Sequence, residues 1–200
     1  MGFRYEIRLS GSGGQGLILM GIILAEAIGI YEGKFVAQTQ SYGPEARGGS
    51  SKSEVIVSDE EIDYPKAMKL DVLLAMNQKS CDEFYPDLKP EGLLIVDSTF
   101  VTQVPTPKAF RIPFTRIARE KFKREVVANI IALGALTQLT PIVSPRAIEP
   151  AVLARVPKGT EKLNRDALKA GMAAAKRAKK EWMKAEAPPE VPKEDLLDSY

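Results

Sequence analysis

The sequence predicts an α/β fold, with a mostly parallel sheet and helices on both faces in a Rossmann-like three-layer sandwich. Short apolar runs typical of buried parallel strands alternate along the chain with segments of helical pattern. The chain has 200 residues, of which 44% are hydrophobic, enough to build the core of one medium-sized domain. We expect a single domain over residues 1–186, ending in a helix, and a flexible C-terminal tail over 187–200.

The first part of the chain predicts three strands and one helix. Residues 5–9 alternate as in a strand, which a glycine-rich turn ends. Residues 15–31 are apolar on nearly every face and predict a helix buried against a sheet. The segments FVAQTQ (35–40) and SEVIVSD (53–59) predict two strands, and a second glycine-rich loop joins them.

The middle of the chain continues the alternation of strands and helices. DVLLAM (71–76) and GLLIVDS (92–98) are continuous apolar runs, as expected of parallel strands covered on both faces. The segment between them, residues 77–90, predicts a helix and an exit turn. KAFRIPF (108–114) predicts a further strand, and residues 124–140 predict a strongly apolar helix.

Two more helices follow. Ser144 is a typical N-cap residue with proline after it, and Pro150 predicts a kink or break in the helix that begins there. The last helix is expected to start at Thr160 and to pack closely through one face. That face holds Leu163, Ala167, Gly171, Ala174, Ala178 and Trp182. The proline-containing tail after it is expected to be an arm that reaches a neighbouring subunit.

Composition excludes several classes of function. Twenty-eight basic and 26 acidic residues leave a formal charge of +2, too little to hold nucleic acid or an anionic membrane. The sequence has no histidine and one cysteine, Cys81, so we expect no metal site, no disulfide and an unreactive reduced thiol. No segment is typical of a signal peptide or a membrane span, and we therefore expect a cytoplasmic protein.

The turn after the first strand has the spacing Gly11-x-Gly13-x-x-Gly16, with a further glycine at Gly14. This is the spacing of a dinucleotide-binding loop, and the N-terminus of the following helix could attract an anion. Such sites also carry an acidic residue at the end of the second strand, where this sequence has Gln38, Thr39 and Gln40. A tight strand-to-helix turn is therefore the favoured interpretation over an NAD or FAD site.

The loop after the second strand, SYGPEARGG, is less usual. Its Gly-Pro and Gly-Gly steps fix the course of the backbone around Arg47. The guanidinium of Arg47 can either bind a carboxylate or phosphate through two hydrogen bonds, or pair locally with Glu45. These two alternatives are equally open.

These segments resemble the gamma subunit of 2-oxoacid:ferredoxin oxidoreductases over residues 4–185. The resemblance is carried by GSGGQGLILMGIILAEA, QTQSYGPEARGGSSKSEVIVSDEEIDYP, DVLLAMNQ, LKPEGLLIVDS and NIIALGAL. SYGPEARGG is the most specific motif, and its continuation is most similar to the 2-oxoglutarate branch. Members specific for pyruvate or branched-chain 2-oxoacids are the alternative.

The resemblance implies an oxidoreductase subunit that is inactive alone and has no catalytic residue of its own. The complex would use thiamine diphosphate, magnesium, iron–sulfur clusters and coenzyme A, with alpha and beta thiamine-binding subunits and a ferredoxin-like delta subunit as partners. When isolated, the chain could form a homodimer. Two other classes of function stay open, a stand-alone nucleotide-binding protein and a scaffolding module.

The candidate site lies where both glycine-rich loops are expected to leave the sheet, at the carboxyl ends of the first and second strands. It would contact either coenzyme A or a partner subunit. Its residues are Gly11, Gly13, Gly14, Gly16, Tyr42, Gly43, Arg47 and Gly48.

Overall fold

The computed structural model describes residues 2–42 and 50–186 and contains one six-stranded sheet of order β2-β3-β1-β4-β5-β6. The strands are β1 (Arg4–Ser12), β2 (Phe35–Tyr42), β3 (Ser50–Ser58), β4 (Leu70–Ala75), β5 (Leu88–Asp97) and β6 (Ala109–Ile112). The α-helices are α1 (Leu17–Glu26), α2 (Gln78–Phe84), α3 (Phe114–Ile117), α4 (Ala128–Leu139), α5 (Pro145–Arg155) and α6 (Glu161–Glu186). Wider π-type turns continue α1 over Ala27–Tyr31 and α3 over Ala118–Phe122.

The sheet is mixed but mostly parallel. Strands β1, β4, β5 and β6 are parallel neighbours, whereas β3 is antiparallel to both β1 and β2. Only seven residues join β2 to β3, too few for the crossover that a parallel pair would need. Because β3 is antiparallel to both of its neighbours, β2 runs in the same direction as β1.

Helices cover both faces of the sheet, which confirms the predicted α/β sandwich. One core lies between the sheet and α1, α4, α5 and α6, and the β1 side chains Ile7 and Leu9 point into it. A smaller core lies on the opposite face, where α2 contributes Cys81 and Phe84. No helix in the described part of the chain is long and apolar enough to cross a membrane.

Several elements differ in extent from the sequence-based expectation; for example, α4 begins at Ala128 rather than at residue 124. Helix α1 begins at Leu17 rather than at residue 15, because Gly16 has φ +75°, a left-handed conformation that a helix cannot continue through. Strand β5 begins at Leu88, so the segment expected as an exit turn is already extended. Helix α5 is continuous through Pro150, so of the two predicted alternatives, a kink or a break, the break does not occur. The predicted N-cap is confirmed, because Ser144 accepts a hydrogen bond from Ala147 N.

Helices α4 and α6 pack at very close range through two glycines. A Cβ on Gly171 would overlap the carbonyl oxygen of Ile131 and lie 2.7 Å from its carbonyl carbon. A Cβ on Gly134 would in turn overlap the carbonyl oxygen of Leu168. The predicted close-packing face of the last helix is therefore confirmed, and backbone touches backbone at its centre.

Candidate functional site

The carboxyl edge of the sheet has a switch point between β1 and β4. Strand β1 leads into α1 on one face, and β4 leads into α2 on the opposite face. Loops that leave neighbouring strands towards opposite faces open a crevice between them, which is where open α/β sheets bind ligands. Gly14 and Gln15 of the predicted Gly11–Gly16 turn line this crevice, and so does Met76, the residue after β4.

The first glycine of the turn is required by local packing. Gly11 is still in β1 and is buried. A Cβ there would overlap the Gln15 side chain and lie 2.9 Å from Met76 Cβ. Gln15 folds back over this position, accepting a hydrogen bond from Ser12 N at 2.7 Å and donating one to Met76 O at 3.4 Å. Gly11 therefore fixes the turn rather than offering a contact to a ligand.

Gly16 has a similar internal role. A Cβ on Gly16 would overlap Nδ2 of Asn129 in α4, a group that donates a hydrogen bond to Gly16 O at 3.4 Å. By contrast, Gly13 and Gly14 are exposed, and nothing lies within 4 Å of a Cβ built on Gly14, where φ is +88°. These two are the glycines of the motif whose backbone a ligand or partner can approach.

Two polar side chains that the sequence analysis did not single out hold the same edge together. Asn77 caps α2 by accepting a hydrogen bond from Ser80 N at 2.8 Å and donates one to Ser12 Oγ at 2.7 Å. Asp97, fully buried at the end of β5, accepts hydrogen bonds from Thr115 N at 3.1 Å and Thr115 Oγ1 at 2.6 Å. Their position directly after apolar strands was the signal that could have identified them.

A depression of about 240 Å³ opens beside the turn. It is lined by Gly14, Gln15, Met76, Thr115, Glu125, Val126 and Ala128. Val126, which lines the depression, is 74% exposed. The N-terminus of α1 also points to this edge, and no side chain caps it.

The second candidate loop is described only at its flanks. The backbone of Tyr42 pairs with Ser51, which pairs on its other side with Gly11, so the end of β2 lies at the same edge as the first turn. Gly43, Arg47 and Gly48 lie outside the described residues. Their place in the site, and the local pairing of Arg47 with Glu45, stay predictions from the sequence.

The edge lacks the second half of a dinucleotide site. Strand β2 ends in Gln40, Ser41 and Tyr42, with no acidic residue for a ribose. The strand next to β1 on that side is the antiparallel β3, so β2 is one strand further away than in a dinucleotide-binding sheet. The favoured interpretation, a tight turn without a dinucleotide, agrees with this geometry.

The single thiol is unsuited to nucleophilic or cluster chemistry. Cys81 is fully buried in α2, and this burial, with a smaller contribution from Asp82, raises the pKa of the thiol to about 11. At neutral pH the group is therefore a protonated, inert part of the smaller core. Among residues 2–42 and 50–186, no three histidine, cysteine or acidic side chains come together as a metal site.

Comparison with known proteins points to one family. Residues 6–174 match the family described as pyruvate ferredoxin/flavodoxin oxidoreductase. The 2-oxoglutarate synthase subunit KorC of Methanocaldococcus jannaschii is 52% identical over 177 residues, which cover 86% of this chain and 95% of KorC.

A solved structure and a more distant relative agree with this family. The gamma subunit of a keto/oxoacid ferredoxin oxidoreductase from Geobacter sulfurreducens is 50% identical with a TM-score of 0.80, covering 88% of this chain and 98% of that subunit. The ketoisovalerate oxidoreductase subunit VorA of Methanothermobacter thermautotrophicus is 37% identical over 135 residues, 67% of this chain and 28% of VorA.

Proposed function

The chain belongs to the pyruvate ferredoxin/flavodoxin oxidoreductase family, and on that premise we propose that it is the gamma subunit of a 2-oxoglutarate:ferredoxin oxidoreductase. The observation that carries the proposal is 52% identity across nearly the whole length of a 2-oxoglutarate synthase subunit. The ketoisovalerate relative, at 37% identity over a shorter stretch, supports a branched-chain 2-oxoacid as the alternative substrate.

The reaction of such a complex breaks the bond between C1 and C2 of the 2-oxoacid and releases carbon dioxide. The acyl group joins the sulfur of coenzyme A, the thiol gives up its proton, and two electrons pass singly to ferredoxin. Thiamine diphosphate with magnesium, and iron–sulfur clusters, supply the carbanion and electron-transfer chemistry of this class. The residues of this chain do not fit an iron–sulfur cluster, because such a cluster needs four thiolates and the sequence has one cysteine.

The chain is accordingly one subunit of a multisubunit oxidoreductase and is not expected to turn over alone. We propose alpha and beta thiamine-binding subunits and a ferredoxin-like delta subunit as its partners, as the family resemblance implies. We also propose a cytoplasmic location, with which a single, buried, reduced thiol is compatible.

The chain's own contribution is proposed to be part of the coenzyme A site at the carboxyl edge. The exposed backbone of Gly13 and Gly14 and the uncapped N-terminus of α1 offer N–H groups to the phosphates of coenzyme A. Arg47 on the neighbouring loop would bind the same anion through two hydrogen bonds from its guanidinium group. The adjacent depression of about 240 Å³ has room for part of such a ligand.

A protein interface is the second candidate for the same edge. The observation in its favour is Val126, which is 74% exposed beside the depression and whose apolar side chain a bound partner would remove from water. In that case Arg47 would pair with a carboxylate of the partner subunit rather than with a phosphate.

Arg47→Ala distinguishes the two candidates. In the assembled complex we expect the KM for coenzyme A to rise about tenfold with assembly intact, since a charge-assisted hydrogen bond contributes about 1.5 kcal/mol. The measurement is coenzyme A-dependent viologen reduction on complex purified through a tag on this chain.

The matched control is Arg146→Ala, which removes an exposed arginine of α5 away from the glycine turn. This start of α5 lies near the C-terminal end of α1, since Ser144 N donates a hydrogen bond to Glu32. Loss of the partner subunits on purification of the Arg47 variant, rather than a change in KM, would favour the interface. If both the kinetics and the assembly were unchanged, Arg47 would belong to neither the coenzyme A site nor the subunit interface.

A further inference from the structure

A groove lies at the opposite edge of the sheet from the glycine turn. It opens at the amino-terminal ends of β5 and β6, includes Trp182 of α6 in its lining, and has a volume of about 490 Å³. Three aromatic side chains line it, Tyr85, Phe110 and Trp182. The activity proposed for the carboxyl edge makes no use of this groove.

The aromatic wall is built from two elements. The ring of Trp182 in α6 packs against that of Phe110 in β6 with centroids 6.0 Å apart and planes tilted by 40°. Pro86 and Pro90 also line the groove. Trp182 is only partly buried by these neighbours, so part of the indole faces the groove. Grooves lined by aromatic rings are the surfaces on which extended, proline-rich peptides bind.

The sequence that follows α6 is of this kind. Helix α6 ends at Glu186, about one helical turn beyond Trp182. Fourteen residues, 187–200, follow it. They include Pro188 and the spacing Pro189-x-x-Pro192, the PxxP pattern of peptides that bind as polyproline II helices.

The charges of the two segments are complementary. Residues 176–184 of α6 carry five basic side chains and one acidic, and all six are exposed. Residues 187–200 carry four acidic side chains and one basic. A segment that returned from Glu186 along the groove would bring its acidic residues beside this basic part of α6.

We propose that residues 188–192 of this chain bind in the groove over Trp182 and Phe110, and that the acidic residues after them lie against the basic end of α6. A polyproline II segment of five residues is about 15 Å long, enough to cross a groove of this size. Because the segment is tethered beside the groove, its effective concentration is of millimolar order, and even a weak contact would be occupied.

Trp182 is the only tryptophan of the sequence, so its fluorescence reports directly on the groove. Ending the chain after Glu186 is expected to shift the emission to longer wavelength and to raise the acrylamide quenching constant about twofold, because a covered face of the indole becomes exposed to water. A synthetic peptide of residues 187–200 at millimolar concentration should reverse both changes.

A double variant tests the same contact in the full-length chain. Pro189→Ala with Pro192→Ala should change Trp182 fluorescence in the same direction, whereas Ser199→Ala, in the same segment, should leave it unchanged. Far-UV circular dichroism checks that each variant is folded. Fluorescence that is the same in the full chain, the shortened chain and the proline variant would overturn the proposal.

The source of the bound segment is tested by dilution. A segment bound to its own chain gives quenching that is independent of protein concentration. Quenching that rises on dilution would assign the segment to another copy of the chain, the arm to a neighbouring subunit expected from the sequence, and would overturn binding within one chain. Failure of any of these tests leaves the proposed enzymatic function untouched, since the groove and the carboxyl edge lie at opposite ends of the strands.

Discussion

Gly171→Ala is expected to lower the free energy of unfolding by about 3 kcal/mol or more. Glycine to alanine in a helix interior normally stabilises by about 1 kcal/mol, so the sign of the effect is itself informative. Here a Cβ would overlap the backbone of Ile131 in α4, and no side chain can move aside to make room. Helices α4 and α6 would have to separate, opening the core that both share with the sheet.

Urea denaturation of the purified chain measures this effect. Ala173→Leu is the control, since Ala173 lies two residues further along α6 but is exposed, and its substitution should change stability by less than about 0.5 kcal/mol. A Gly171→Ala variant as stable as the parent chain would mean that α4 and α6 do not approach this closely.

Arg8→Met is expected to cost about 3–4 kcal/mol. Arg8 is 4% exposed in the centre of β1, where its guanidinium forms an ion pair of 2.7 Å with buried Glu54 and a second ion pair with Asp87. The guanidinium also lies 4.8 Å from the centre of the Phe84 ring. Methionine fills a similar volume but leaves the carboxylate of Glu54 buried without its main partner.

A double variant separates this cause from simple loss of packing. Adding Glu54→Gln to Arg8→Met removes the stranded charge, so the double variant should recover a large part of the stability lost by the single one. Arg119→Met is the control: its ion pair with Glu125 is also 2.7 Å long, but both side chains are more than half exposed, and the cost should be below about 1 kcal/mol. Equal costs at Arg8 and Arg119 would contradict this account.

The strands and helices could be predicted because each is indicated by the residues of its own short segment. Apolar runs such as DVLLAM identify buried strands, and Ser144 with its following proline identifies a helix start, without any knowledge of the neighbours. The insertion of β3 between β1 and β2 could not be predicted in this way. Strand pairing depends on contacts between distant segments, which periodicity does not describe.

The position of the glycine turn could be predicted from the sequence, but its internal contacts could not. Because the turn follows a parallel strand, it is expected at the carboxyl edge of the sheet, where the structure has it. The internal role of Gly16, for example, depends on its contact with Asn129, which is 113 residues away in sequence. The burial of Arg8 is equally non-local, because an arginine in an alternating strand is normally expected to face water.

The central claim is that this chain is the gamma subunit of a 2-oxoglutarate:ferredoxin oxidoreductase. The most direct test is coenzyme A-dependent viologen reduction by a complex co-expressed with candidate alpha, beta and delta subunits and purified through a tag on this chain. The account predicts that activity co-purifies with the tag, is absent from the isolated chain, and is higher with 2-oxoglutarate than with pyruvate or branched-chain 2-oxoacids. Recovery of the chain without partners or activity would contradict it, and a preference for another 2-oxoacid would contradict the substrate while leaving the family intact.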